Sequence, residues 1–420
     1  MSATKGSPAP AQPPTGDDSN AADILLLEGI HAAAAATMSE FGLEATRRDG
    51  GLDPAALAPQ LGRTRILGIR SKTRVTPPVL AAAPELLAIG CFCIGTNQVD
   101  VAEAGRRGIA VFNSPFSNTR SVAELTIAEI ICLHRRLTDK SMSLHRSRWD
   151  KSAAHAHEVR GRTLGIVGYG HIGSQVSVLA EALGMRVVYH DIAAKLPLGN
   201  AQSMNDLHEV LAGADVVTIH VPETPSTRGL IGPAEIARMR PGAFLINNAR
   251  GTVVDLDAVA DAVRRGHLGG AASDVYPAEP ATAQGDFTCP LTGLPNVILT
   301  PHIGGSTEEA QANIAREVAI KIARFIQHGT TTSAVNVPEV ELPHRQPDQH
   351  RILHFHRNVP GVLSKMHGLL AENDVNINAE YLQSNAEVSY VILDVDPHHV
   401  EDVRAGLEAI PETIRVRTLR

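Results

Sequence analysis

The sequence predicts an α/β protein built on doubly wound parallel sheets, with a separate ferredoxin-like domain at its C-terminal end. Three observations carry that prediction. A glycine fingerprint sits between a strand and a helix near the middle of the chain. Strands alternate with helices over most of the length, and residues 351–420 follow the order βαββαβ.

The fingerprint lies in "RTLGIVGYGHIGSQ", beginning at Arg162. Leu164 to Val167 is a short apolar run that reads as a buried strand, and it feeds directly into Gly168-x-Gly170-x-x-Gly173. Gly168 permits the tight turn, Gly170 lets the backbone approach a pyrophosphate, and Gly173 allows close helix–strand packing. The helix that follows offers unpaired N–H groups and a partial positive charge to phosphate. A second strand, Val187 to His190, ends in Asp191. A carboxylate there accepts hydrogen bonds from an adenosine ribose and repels a 2′-phosphate. Ile192, Ala193 and Ala194 intervene before Lys195, so no arginine follows to welcome that phosphate. The expected cofactor is therefore NAD rather than NADP.

Before this motif, "DILLLEG" from Asp23, "RILGIR" from Arg65 and "LLAIGCF" from Leu86 read as strands, and a long helix starts near Asn118. After it come strands at "DVVTIHV", "AFLINN", "GAASDV" and "VILTP". Helices are expected near 205–211, 233–239 and 255–265, and another from about 308 to 327. "NVPEVELPHRQPDQH" is dense in Pro and His and reads as a linker, placed at 341–350. The final segment gives a strand at "RILHFH", a helix at "GVLSKMHGLLAE" with Pro360 expected as its first residue, two strands, a helix and a last strand.

At 420 residues the chain has room for two or three domains, and 43% hydrophobic with 20% charged residues is ordinary for a globular protein. A net charge of −7 gives no reason to expect nucleic acid or an anionic membrane as partner. No apolar run is long enough to span a bilayer. Residues 1–21, rich in Pro, Ser, Gly and Ala, resemble neither a signal nor a transit peptide and read as a disordered tail. The four cysteines fit a reducing, cytoplasmic setting, with Cys91 and Cys93 as small hydrophobes sharing one strand face. Nineteen histidines invite a metal hypothesis, but no spacing supports one and no metal site is expected.

Ligands of such sheets bind outside the carboxyl ends of the strands. Three polar residues fall there: Arg250 after "FLINNA", Glu279 after "SDVYPA" and His302 after "ILTP". Arginine offers a planar fork for a carboxylate, and histidine exchanges protons near neutrality. A carboxylate on the far ring nitrogen fixes the tautomer and raises the imidazole pKa. Together they suit hydride transfer between a 2-hydroxy acid and NAD.

"VGYGHIG", "HVPETPSTRGLIG", "INNARGTVVD", "DVYPAEP" and "LTPHIGGST" resemble the D-2-hydroxyacid dehydrogenase family. "IRSKT", "GCFCIGTNQVD" and "FNSPFSNTRSVAEL" narrow the resemblance to its branch that oxidises 3-phospho-D-glycerate and carries a C-terminal ACT domain. The resemblance implies two Rossmann-like domains flanking a cleft. The substrate-binding domain would comprise 22–117 and 306–340, the NAD-binding domain 118–305 and the ACT domain 351–420. By position, Arg250 would hold the substrate carboxylate, His302 would exchange the proton and Glu279 would orient it. Cofactor contacts would fall on His171, Ile172, Asp191, Asn248, Ala249, Asp274, Ile303, Gly304 and Gly305, beside the fingerprint glycines, Arg250 and His302.

The resemblance further implies oxidation of 3-phosphoglycerate to 3-phosphohydroxypyruvate, the entry to serine synthesis, by a homotetramer. Arg70 is the best candidate for the 3-phosphate, with Asn118 and Thr119 weaker ones. Lys72 stands where close relatives are expected to have Arg and lacks the bidentate fork. Trp149 resembles a residue at a subunit contact, and Lys151 lies close by. His356, Asn358 and Asn376 match the family's serine-binding positions, making L-serine the expected effector. A broader hydroxypyruvate reductase and an NAD-sensing scaffold are the alternatives.

Overall fold

The computed structural model describes residues 23–280, 285–343, 345–346 and 348–420; the expected tail at 1–21 lies outside them. The chain forms two compact units, one reaching to Pro115 and resuming at Gln311, the other spanning Phe116–Ala310.

The first unit opens with strands β1 (Asp23–Leu26), β2 (Ala45–Arg47), β3 (Thr64–Ile69), β4 (Ala88–Cys91) and β5 (Ala110–Asn113). They form a parallel sheet in the order β2-β1-β3-β4-β5. β4 and β5 are buried throughout and β3 nearly so, which is why they read as unbroken apolar runs. β2 was not foreseen: three residues, Ala-Thr-Arg, at a sheet edge carry no periodic signal. The helix Glu308–His328 supplies Ile314, Val318, Ile322 and Phe325 to the core formed by Ile24, Leu26, Ile66 and Phe112. Cys91 is buried, all four thiols are free, and burial pushes the Cys93 thiol up to about 11.

The second unit carries β6 (Thr163–Val167), β7 (Arg186–His190), β8 (Gln202–Ser203), β9 (Val216–Ile219), β10 (Ala243–Asn247), β11 (Leu268–Ser273) and β12 (Val297–Leu299). Its sheet is parallel, in the order β12-β11-β10-β9-β6-β7-β8. The order reverses between β6 and β9, the crevice where such sheets bind dinucleotides. The helices expected in this unit run Leu207–Gly213, Pro233–Arg238 and Leu256–Arg264. The helix Thr119–Arg135 packs Ala123, Ile130 and Leu133 into the same core as Leu164, Val176 and Ala180.

The chain ends, within the first unit, in β13 (His350–Arg357), β14 (Ile377–Ser384), β15 (Val388–Val395) and β16 (Thr413–Leu419). This antiparallel sheet has the order β14-β15-β13-β16, with helices Val362–Glu372 and Val400–Glu408 between strands as the βαββαβ reading requires. Phe355, Tyr390, Ile392 and Leu419 join the core that contains Phe112 and Phe325. Arg351 and Asp394 form a buried two-pronged pair at 2.6 and 2.7 Å, and the Tyr390 hydroxyl donates to the Gly329 carbonyl at 2.7 Å. The helix expected to start at Pro360 starts at Val362 instead. Gly361 takes a left-handed φ of 94°, which no α-helix contains, so Pro360 lies outside it. Among the described residues no helix is long and apolar enough to cross a membrane.

Candidate active site

The turn after β6 is glycine-dependent. Gly168 has φ +92°, and a Cβ on Gly173 would stand 2.2 Å from the Gly168 carbonyl oxygen. The helix His171–Ala182 therefore starts hard against the strand. A Cβ on Gly170 would meet nothing within 4 Å, so the space before the helix N-terminus is open to a phosphate. The His171 ring packs tilted against Phe116 with centroids 3.9 Å apart. Asp191 accepts the Tyr169 N–H at 2.8 Å and the Ala193 N–H at 2.9 Å, which fixes its carboxylate and leaves lone pairs for ribose hydroxyls. These residues fit a dinucleotide.

Beyond β10, β11 and β12 the expected catalytic set comes together. His302 Nδ1 lies 2.8 Å from Glu279 Oε2, which makes Nδ1 the donor and leaves Nε2 bare in the neutral ring. His302 itself has φ +55°, a left-handed conformation uncommon outside glycine. Asp274 holds that loop: its carboxylate accepts the Thr300 hydroxyl at 2.6 Å, the Ile303 N–H at 2.8 Å and the Gly304 N–H at 2.7 Å. Glu279 also accepts the Tyr276 N–H at 3.2 Å. Gly251 lets the next loop approach, since a Cβ there would sit 1.9 Å from the Tyr276 carbonyl carbon. Arg250 is thereby close enough for its charge to act on both partners.

Hydrogen bonding to Glu279 raises the His302 pKa above its ordinary 6.5, against the opposing effects of burial and of Arg250. Burial pushes the Glu279 carboxyl up, but the His302 hydrogen bond and charge, the Tyr276 N–H and Arg250 outweigh it and leave it low. The pair is thus a carboxylate beside an imidazole tuned to bind protons more tightly. Such an arrangement can move a proton to or from a hydroxyl.

Residues 127–304 match the model of the D-isomer specific 2-hydroxyacid dehydrogenase NAD-binding domain, and 352–415 match the AHAS small subunit-like ACT domain. A D-3-phosphoglycerate dehydrogenase of Haemophilus influenzae is 49% identical over 405 residues, covering 96% of this chain and 98% of its own length. That of Escherichia coli K12 is 50% identical over 399 residues, covering 94% and 97%. The chain belongs to the D-3-phosphoglycerate dehydrogenase family. Among solved structures, the D-lactate dehydrogenase of Aquifex aeolicus complexed with NAD and lactic acid aligns with a TM-score of 0.61 at 27% identity, covering 72% of this chain and 95% of that one. As a member of the D-3-phosphoglycerate dehydrogenase family, the protein is an NAD-dependent oxidoreductase.

Sequence reasoning missed the groups that hold this candidate site in shape. Asn247 was read only as a strand end, yet its side chain accepts the Ala249 N–H and donates to the Arg250 carbonyl, both at 3.1 Å. Asn248 donates to Thr126 at 3.0 Å and to Glu129 at 2.7 Å. The available signal was Thr126 and Glu129, polar residues three apart on the buried face of an amphipathic helix. The carboxylate of Asp274, an expected cofactor contact, also organises the histidine loop. Gly305 faces Asn118, whose Nδ2 would stand 2.7 Å from a Cβ at that position.

In the first unit, Arg70 follows β3 half-buried and Lys72 is exposed. Their loop is pinned by the buried Glu28, which accepts the Lys72 N–H at 3.0 Å and the Thr73 N–H at 2.7 Å. Of the expected effector residues, His356 and Asn358 lie together at the end of β13. His356 Nε2 is buried without a partner, and Asn358 donates to the Asn385 carbonyl at 2.8 Å. Asn376 does not join them within the chain. It precedes Ile377, which pairs with Val395 opposite His350, whereas His356 pairs with Ser389. Six residues of β15 separate those ends, roughly 20 Å of strand.

Proposed function

We propose that the protein oxidises 3-phospho-D-glycerate to 3-phosphohydroxypyruvate, the reaction that commits carbon to serine, in the cytoplasm. The observation that carries this reading is the His302–Glu279 pair at 2.8 Å with the Arg250 charge beside it. When bound, NAD supplies the hydride acceptor. Arg250 holds the substrate carboxylate through its planar guanidinium. His302 Nε2 takes the C2 hydroxyl proton as the C2 hydride departs, and Glu279 stabilises the imidazolium that results. Asn248, Ala249, Asp274, Ile303 and Gly304 flank the nicotinamide end; Gly168, Gly170, His171, Ile172 and Gly173 cradle the pyrophosphate, and Asp191 takes the ribose.

The 3-phosphate falls to Arg70, with Lys72 as a point charge and Asn118 as a donor. The functional division is a substrate-binding part at 22–117 and 306–340, an NAD-binding part at 118–305, a linker at 341–350 and an ACT domain from 351. L-Serine is the feedback effector, bound by His356 and Asn358 of one chain and Asn376 of another. A homotetramer provides the second chain, and Trp149, 81% exposed a few residues after the exposed Met142 and Leu144, supports a subunit contact. Following NADH formation from 3-phosphoglycerate, with and without L-serine, tests the proposal. Turnover that is equal with Arg70→Ala, or absent in the native protein, would overturn it.

A further inference from the structure

One buried acid has no part in the chemistry above. Glu129 lies on the inner face of the helix Thr119–Arg135 and is 2% exposed. Its Oε2 accepts the 2.7 Å hydrogen bond from Asn248, while Oε1 is buried without a partner. Asn248 cannot be turned round to donate elsewhere. The Thr126 hydroxyl donates to the Val122 carbonyl at 2.9 Å, so toward Asn248 it can only accept. Asn248 Oδ1 is consequently left unpartnered as well.

The charged group facing Glu129 is Asp274, from the end of β11; on its own helix, Cys132 lies one turn further and is raised in part by the Glu129 charge. From the β10 side the contact is the neutral Asn248, and no cation hydrogen-bonds to Glu129 among the described residues. A buried carboxylate with a single amide donor and a like charge nearby is poorly stabilised, and burial lifts this one to about 8. Near neutral pH it therefore favours the neutral acid, with the proton on Oε1 because Oε2 accepts.

We propose that Glu129 couples a proton to the oxidation state of the bound cofactor, ionising when the positively charged nicotinamide of NAD+ docks by Asn248 and Asp274 and staying protonated beside the neutral ring of NADH. The inference rests on the reading that places the nicotinamide end at these residues. The pyridinium brings the positive charge that this pocket lacks, and a nearby positive charge favours the carboxylate. The proton leaves to solvent, so NAD+ gains affinity relative to NADH as pH rises toward about 8, and the gain levels off above it. Glu129 touches no reacting atom; it is an electrostatic positioning residue.

Calorimetric titration of the full-length protein with NAD+ and with NADH, in two buffers of different ionisation enthalpy, counts the protons exchanged. At about pH 7.5 the native protein is expected to release a few tenths of a proton more per NAD+ than Glu129→Gln does, with NADH alike in both. His302 responds to the cofactor in both proteins, so the difference isolates Glu129. Equal release in the two proteins would overturn the inference while leaving the dehydrogenase reading intact. A native protein that binds neither nucleotide would overturn both. If Glu129→Gln does not fold, difference infrared spectra of the native protein read the same event. Loss of a protonated-carboxyl band with NAD+ but not NADH supports the coupling, and its persistence overturns it.

Discussion

His302 draws its chemistry from Glu279, more than twenty residues away in sequence, and its posture from Asp274. Replacing His302 with Ala is expected to lower kcat by roughly two to four powers of ten, the usual range for a general acid–base group, in steady-state assays. The pH dependence has a definite sign. Oxidation needs the neutral imidazole, and the Glu279 hydrogen bond raises the pKa, so kcat/KM should climb with pH through a midpoint above 6.5. Glu279→Gln should move that midpoint down and lower kcat; an unchanged midpoint would refute the coupling. Arg250, Glu279 and His302 were legible because each follows an apolar strand that points to the sheet's carboxyl edge. The supports beneath them, Asn247, Thr126 and Glu129, were not. A buried polar side chain looks like a strand end or a helix flank until its partner from another element is known.

At the scale of elements, the glycine turn shows why pattern reading succeeds. Gly173→Ala places a methyl where the Gly168 carbonyl already stands, 2.2 Å away. Overpacking of this kind costs about 1–3 kcal/mol. The strand or helix must shift, and NADH affinity, read by nucleotide fluorescence, is expected to fall at least about tenfold. An alanine variant that binds as well as the native protein would remove the turn from the cofactor site. Strands buried on both faces and helices with a clear apolar stripe were found within a few residues. β2 and β8 were not, because two or three edge residues leave no period to detect. The start at Val362 escaped because the left-handed Gly361 outranked the usual preference for proline in a first turn.

At the scale of the molecule, the register of the antiparallel sheet sets Asn358 and Asn376 at opposite ends. Serine inhibition should disappear in Asn358→Ala and in Asn376→Ala alike. Mixed assemblies of the two variants should recover part of it, because some interfaces then unite two intact halves; no recovery would argue for a site within one chain. The Arg351–Asp394 pair, with side chains 1% and 5% exposed, ties together two neighbouring strands of this sheet, and Arg351 also donates to the His328 carbonyl at 3.0 Å. Asp394→Ala is expected to cost about 3–5 kcal/mol by leaving a buried guanidinium uncompensated, measurable as a lower denaturant midpoint. Sheet types and chain order could be read from the sequence, but the shared core of the C-terminal sheet with Phe112 and Phe325 could not, since no periodicity records which face meets which. That shared core imposes a schedule on the ribosome. The opening strands emerge early, yet the helix that covers them follows Phe116–Ala310, roughly 10–40 s later at ordinary translation speeds. Through that interval a half-built sheet stays sticky, and a chaperone that shields nascent apolar strands would raise the yield of active enzyme.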